Sequence, residues 1–268
     1  MSLEFSRLLS IMDDLREKCP WDKKQTLESL SHLTIEEVYE LYDAILNKNL
    51  DNLKEEVADV MLHLVFYAKI ISEKDGTSID DILKMGNDKL IHRHPHVYEV
   101  RQDLTVEQVK ENWEKIKLKE GRTSILGGVP KSLPALIKAH RIQDKAAHIG
   151  FQWDTIDGVW DKLNEELGEL NQALETKVSE DIEEEMGDVL FSMINLARYA
   201  KVDPELALQR ANQKFIQRFQ YIEEQATKPL SDMNLEEMDA LWNEAKVNAA
   251  VKSEFGWEFS KTKQSSWR

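Results

Sequence analysis

The sequence predicts an all-α protein of two tandem helical repeats with packing of the four-helix-bundle type. Three observations predict it. Apolar residues recur at three- and four-residue intervals, as in Val57, Val60, Met61, Leu64 and Val65, which is the period of one helix face. Only six prolines and ten glycines punctuate 268 residues, and strand-like alternation is absent. The third observation is an internal duplication, which sets the order of everything else.

At the N-terminus, "MSLEFSRLLSIMDDLREKC" mixes apolar and charged residues at helical spacing and has no uninterrupted apolar core of a signal segment. The segment "IEEVYELYDAILNKNLDNLKEEVADVML" from Ile35 then lies without a gap over "NEELGELNQALETKVSEDIEEEMGDVLF" from Asn164. The same shift carries Trp113 onto Trp242 and Lys117 onto Lys246, matching "WEKIK" with "WNEAK". Between them, "NDKLIHR" from Asn87 matches "NQKFIQR" from Asn212, and "PWD" ending at Asp22 resembles "QWD" ending at Asp154. "GRTSILGGVPKSLP" holds Gly127, Gly128, Pro130 and Pro134 and is the expected linker. The expected organisation is a repeat over 1–120, a linker over 121–134, a second repeat over 135–250 and a tail over 251–268.

Composition narrows the function. Thirty-five basic against 50 acidic residues give a formal charge of -15, which argues against an extended surface for a nucleic-acid polymer. Cys19 is the only cysteine, which excludes an intrachain disulfide and fits a reducing compartment, so a cytoplasmic protein is expected. No stretch is long and apolar enough to span a bilayer, and no membrane partner is expected.

Within each repeat, residues three apart share a helix face. Glu37 with Glu40 and Glu56 with Asp59 form two acidic pairs in the first copy; Glu166 with Glu169 and Glu185 with Asp188 form them in the second. The short "NKNLDN" and "TKVSED" connections suit antiparallel hairpins that bring the pairs face to face. Any one Glu-x-x-Glu is more often a solvated helix face. Four carboxylates closely flanked by apolar residues repel and raise one another's pKa values unless a cation neutralises them, so a divalent metal is expected. Oxygen ligands alone, with no histidine or thiolate at ligand spacing, suit Mg²⁺ or Mn²⁺; iron is a minor alternative because di-iron bundles use Glu-x-x-His.

Downstream, Lys89 with Arg93 and Lys214 with Arg218 are four apart and suit a clamp for phosphate oxygens. Trp113 with Lys117, and Trp242 with Lys246, add an aromatic plate beside a cation. The "HRHPH" run, His92 to His96, lacks spaced cysteines and contains Pro95, so a capping or loop-anchoring role is expected rather than zinc.

With "CPWDKKQT", "EEVYE", "EEVADV", "RHPHVY", "SLPALIKAHRIQDKAA", "GFQWD", "EELGE", "EEEMGDVLF", "NQKFIQRF" and "LWNEAK", the chain resembles the two-repeat MazG family of all-α nucleoside triphosphate pyrophosphohydrolases from about Leu8 to Val247. The resemblance implies Mg²⁺-dependent hydrolysis of a nucleoside triphosphate to monophosphate and pyrophosphate by a homodimer. It implies that Glu166, Glu169, Glu185 and Asp188 hold metal, and that Lys162, Lys214, Arg218, Trp242 and Lys246 contact the nucleotide. Glu165 and Glu184 are the implied catalytic carboxylates, with the general base not assigned between them. The second repeat is the favoured catalytic half. There Gly168 stands where the first has Tyr39, and Lys162 where it has Leu33. Glu37, Glu40, Glu56 and Asp59 keep a second metal set. A non-catalytic acidic interaction module is the competing reading, and a self-sufficient monomer is the alternative to the dimer.

Overall fold

A computed structural model describes residues 3–120 and 124–254. The side chain of Lys117, linker residues 121–123 and tail residues 255–268 lie outside that description. Among the described residues there are eleven α-helices and no strand. They are α1 (Leu3–Lys18), α2 (Leu27–Leu46), α3 (Leu50–Asp75), α4 (Ile79–Arg93), α5 (Pro95–Tyr98), α6 (Val106–Lys119), α7 (Ala135–Ala147), α8 (Ile156–Thr176), α9 (Ser179–Tyr199), α10 (Pro204–Gln225) and α11 (Leu235–Glu254). The tail expected from Val251 thus begins inside α11. None of these helices is long and apolar enough to cross a membrane.

The chain divides into two compact units, Met1–Ile116 and Lys117–Arg268, a division that falls within α6. In the first, α2 and α3 form a hairpin, α1 packs on α3, and α4 follows against α3. In the second, α8 and α9 form the hairpin, α7 packs on α9, and α10 lies against α7, α9 and α11.

Local chemistry starts and stops the helices at matching places. A capping box begins α2, with Thr26 Oγ1 accepting from Ser29 N at 3.1 Å and Ser29 Oγ accepting from Thr26 N at 2.8 Å. Ser78 caps α4 by accepting from Asp81 N, and the aligned Asp203 caps α10 by accepting from Leu206 N, each worth about 1 kcal/mol. Both hairpins turn through a left-handed lysine, Lys48 (φ 52°) in the first and the aligned Lys177 (φ 59°) in the second. The next turn repeats the device with Gly76 (φ 82°) and the aligned Lys201 (φ 57°).

Burial follows the duplication. Leu30 and Val159 are aligned and both fully buried, and the aligned pairs Ala44 with Ala173 and Val65 with Ile194 are buried too. Met12, Leu30, Val65, Phe66 and Ile70 form the first core; Leu163, Leu170 and Val189 form the second. Each such large side chain contributes about 1.5–3 kcal/mol by leaving water. A second apolar stripe stays uncovered on each hairpin. Val38, Ile45, Val57, Met61 and Leu64 are exposed in the first, and so are their counterparts Leu167, Leu174, Met186, Leu190 and Met193 in the second.

Arg16 holds the first unit's polar joint. Its guanidinium donates to both carboxylate oxygens of Glu73, at 3.2 and 2.6 Å, and to the carbonyls of Asp22 and Gln25. The Arg16 donor holds the Glu73 carboxyl below its ordinary value of 4.5. A depressed carboxyl adds stability that is present above the ordinary value and is lost as pH falls through the folded one. Glu73→Gln is therefore expected to lower the melting temperature at pH 7 by about 1–3 °C. Thermal scans should show this deficit closing as the pH drops below 4.5. A deficit independent of pH would contradict the assignment.

Candidate metal and nucleotide site

In the second repeat, α8 supplies Glu166 and α9 supplies Glu185 and Asp188, and one oxygen of each lies within 4.8 Å of the others. Glu37, Glu56 and Asp59 make the same trio from α2 and α3. Both hairpins therefore bring their acidic pairs together, as the short connections predict. Glu40 and Glu169, expected as fourth ligands, are outside the two trios. They act at longer range: Glu40 helps raise Glu37 and Glu56, and Glu169 helps raise Glu185.

Removal from water is the largest cause of those three upward shifts, and neighbouring carboxylates add to it. Glu185 Oε2 is sealed from solvent without a hydrogen-bond partner. An orphaned carboxylate oxygen beside two further carboxylates fits a hard divalent cation with oxygen ligands.

The two copies differ in how they treat the buried acid. Glu166 is buried, and Lys162 Nζ lies 2.8 Å from its Oε1 and 2.7 Å from Glu165 Oε1. The hydrogen bond to Glu165 and then that to Glu166 push the Lys162 ammonium above its ordinary range. Leu33 holds the aligned position of the first copy and packs against its core. That copy has a polar network instead. Thr34 Oγ1 donates to Leu30 O at 2.9 Å and sits 2.8 Å from His63 Nδ1 and 2.6 Å from Tyr67 Oη. The hydroxyl has one proton and two lone pairs, enough to serve all three contacts at once. Burial pushes His63 below its ordinary range, opposed by Asp59 one turn away.

The loop ahead of α8 sets where that helix begins. A side-chain carbon at Gly158 would sit 2.5 Å from Trp153 Cδ1, so only glycine admits the indole against the first turn. Tyr199 Oη donates to Trp153 O, and Arg198 donates to Gln152 Oε1 at 3.1 Å, which ties the same loop to α9. On α8 itself, a side-chain carbon at Gly168 would meet nothing within 4 Å, whereas the aligned Tyr39 presents an exposed ring.

On α10 and α11, the Arg218 guanidinium lies over the Trp242 ring, 5.3 Å from its centroid, and Arg218 Nε is a buried donor without a partner. Phe215 also packs against this group, 5.0 Å from Trp242 and stacked on Phe219 at 6.2 Å. Phe215 was not anticipated as part of the aromatic plate; the aromatic pair four apart in "FIQRF" is the signal that marks it. Lys214 is exposed, and Lys246 donates to Asn243 Oδ1 at 2.9 Å. Glu165 and Glu184 are exposed, Glu184 adding to the charge on Glu185. In the first unit Trp113 meets His94 edge-on at 5.0 Å and its indole nitrogen is buried without an acceptor. His94 closes α4: its N–H donates to Ile91 O, and its Nδ1 donates to Leu90 O at 2.6 Å.

Two hairpins, each gathering three carboxylates at one point, define a duplicated all-α protein with paired acidic sites. The chain belongs to the MazG nucleotide pyrophosphohydrolase domain family, whose pattern matches it twice, over residues 25–98 and 155–222. The Thermotoga maritima protein named nucleoside triphosphate pyrophosphohydrolase/pyrophosphatase MazG is 44% identical over 250 residues, covering 90% of this chain and 95% of that protein. The Escherichia coli K12 nucleoside triphosphate pyrophosphohydrolase is 38% identical over 255 residues, covering 91% of this chain and 97% of its own length. A longer Bacillus subtilis protein, YabN, is 44% identical over 252 residues, which are 91% of this chain and 52% of that one.

Proposed function

We propose that this chain is a nucleoside triphosphate pyrophosphohydrolase, producing a nucleoside monophosphate and pyrophosphate, with the second repeat as the principal site. The observation that carries the reading is the convergence of Glu166, Glu185 and Asp188, together with the sealed and unpartnered Oε2 of Glu185. Relatives that bear this name align over nine-tenths of the chain and supply the reaction class. Magnesium is the proposed metal, with manganese able to replace it, and the cytoplasmic nucleotide pool is the proposed setting.

In this reading Glu166, Glu185 and Asp188 hold the metal, with Glu169 behind them. When bound, a divalent ion supplies neutralisation of phosphate charge and a more acidic water. Lys162, Lys214 and Arg218 bind phosphate oxygens, Trp242 stacks on the base, and Lys246 stands beside it. One of Glu165 and Glu184 accepts the proton of a water that attacks the α-phosphorus in line. The bond from that phosphorus to the α–β bridging oxygen breaks, and pyrophosphate leaves. The first repeat keeps Glu37, Glu56 and Asp59 as a second metal set, backed by Glu40, but lacks a lysine at Leu33.

The apolar stripe repeated on both hairpins supports a homodimer. Two helices enclose no core, whereas two hairpins packed face to face make a four-helix arrangement that covers Met61 and Leu64, or Leu190 and Met193. Light scattering at micromolar concentration is expected to return twice the chain mass, and a monomer at that concentration would refute the dimer.

Hydrolysis in ¹⁸O-labelled water, followed by mass spectrometry, tests the reaction. Label is expected in the monophosphate, and label in pyrophosphate or orthophosphate would overturn the attack at the α-phosphorus. Chelation should abolish turnover; if metal removal changes nothing, the competing interaction-module reading gains. Asp188→Ala is expected to reduce turnover by about 100-fold or more, the scale of several kcal/mol of metal-derived stabilisation. Asp59→Ala is expected to leave a substantial part. Equal losses, with helix content unchanged by circular dichroism, would remove the preference for the second repeat.

A further inference from the structure

We propose that Lys162 is an internal counter-ion that occupies the place of the metal's charge at Glu166 and is exchanged for it, becoming free to take a substrate phosphate only once the metal has arrived. The inference rests on the trio of Glu166, Glu185 and Asp188 being the metal set, and adds an order of events that the carboxylates alone do not imply.

Three observations carry it. Lys162 Nζ is shared between Glu165 Oε1 at 2.7 Å and Glu166 Oε1 at 2.8 Å, so a single ammonium serves an exposed carboxylate and a buried one at once. The Glu166 side chain is only 7% exposed, and a carboxylate so placed requires a nearby cation. The pairing is also the wrong way round for helix stability, since an acid is favoured four residues before a lysine and here the lysine comes first. Its value lies in neutralising Glu166 and not in supporting α8. The duplication supplies a contrast within the same chain: the first trio has Leu33 at the aligned position, and its Glu37 is half-buried rather than buried.

A divalent ion and an ammonium compete for the same oxygens. Metal arriving at Glu166 meets a positive charge already there, so the lysine weakens metal binding in the absence of nucleotide. Once displaced, Lys162 retains Glu165 as a partner and presents the N–H donor freed from Glu166 at the edge of the site, where a phosphate oxygen can accept it. Nucleotide then favours metal twice, through its own oxygens and by holding the lysine away from Glu166. Metal and substrate binding are thereby coupled through one side chain, and the coupling is reciprocal.

The test uses the full chain carrying Glu56→Gln and Asp59→Asn to silence the first trio, with Mn²⁺ as the probe and free Mn²⁺ read by electron paramagnetic resonance. Lys162→Met and Lys162→Gln in this background are expected to bind Mn²⁺ about tenfold more tightly without nucleotide, the scale of one removed charge contact in a partly solvated site. Both are expected to bind a non-hydrolysable nucleoside triphosphate more weakly at saturating Mn²⁺. Lys162→Arg, which keeps the charge, should stay close to the parent in metal affinity. A lysine that only props up the helix would weaken metal and nucleotide together. Unchanged or weaker Mn²⁺ binding in both neutral variants overturns the exchange. A separate Asp188→Asn control identifies a failure lower down: Mn²⁺ binding that survives it removes the trio as the metal set, and the exchange with it.

Discussion

Carboxylates that cannot move apart are the constraint from which the rest of this molecule follows. A two-helix hairpin brings one acid from its first arm against two from its second, and all but the exposed Asp188 are at least partly withdrawn from water. Repulsion and lost hydration raise the pKa values of Glu37, Glu56 and Glu185 together. The hairpin holds because apolar burial on its other faces exceeds that cost. The unfavourable charge is then stored where a cation can recover it, which makes the site a binding device before any substrate is considered.

The two copies solve the same electrostatic problem differently. The second places an ammonium beside its most buried acid, and in that copy the network position of Thr34 is Leu163, a core residue. The first forgoes the ammonium and gives its interior a hydroxyl that meets both an imidazole and a phenol. A satisfied polar network fixes the relative rotation of two helices more tightly than interchangeable methyl groups do. The first hairpin is thus built for definition at its centre, and the second for adjustable charge at its edge.

Much of this was legible in the sequence because helix period and duplication are both written in residue order. The hairpins and their facing acids follow from spacing alone. Glu169 shows where spacing stops being sufficient. Residues three apart are offset by about 60° around the axis, so a crossing helix meets one of them squarely and the other at a slant. Only the packing of α8 on α9 decides that Glu166 faces the second arm. Phe215 joins Trp242 through the same kind of choice, made by α10 against α11. The left-handed lysines were illegible for another reason. Asparagine or glycine marks such a conformation, and at Lys48 the flanking Asn47 and Asn49 are the residues that composition favours for it.

Those lysine turns bear on how the chain acquires its shape. A connection of two or three residues closes with little entropy, so α2 with α3, and α8 with α9, have contacts that are local in the chain and quick to form. A left-handed lysine costs about 1–2 kcal/mol that glycine would not. The turns are therefore tuned for neither speed nor stability at their apex, and helix contacts on either side must lead while the bend follows. During synthesis each hairpin can zip shut as soon as its second arm emerges, long before a second chain is at hand to cover Leu64 or Met193. The interval between those two events is when this protein is most exposed to aggregation.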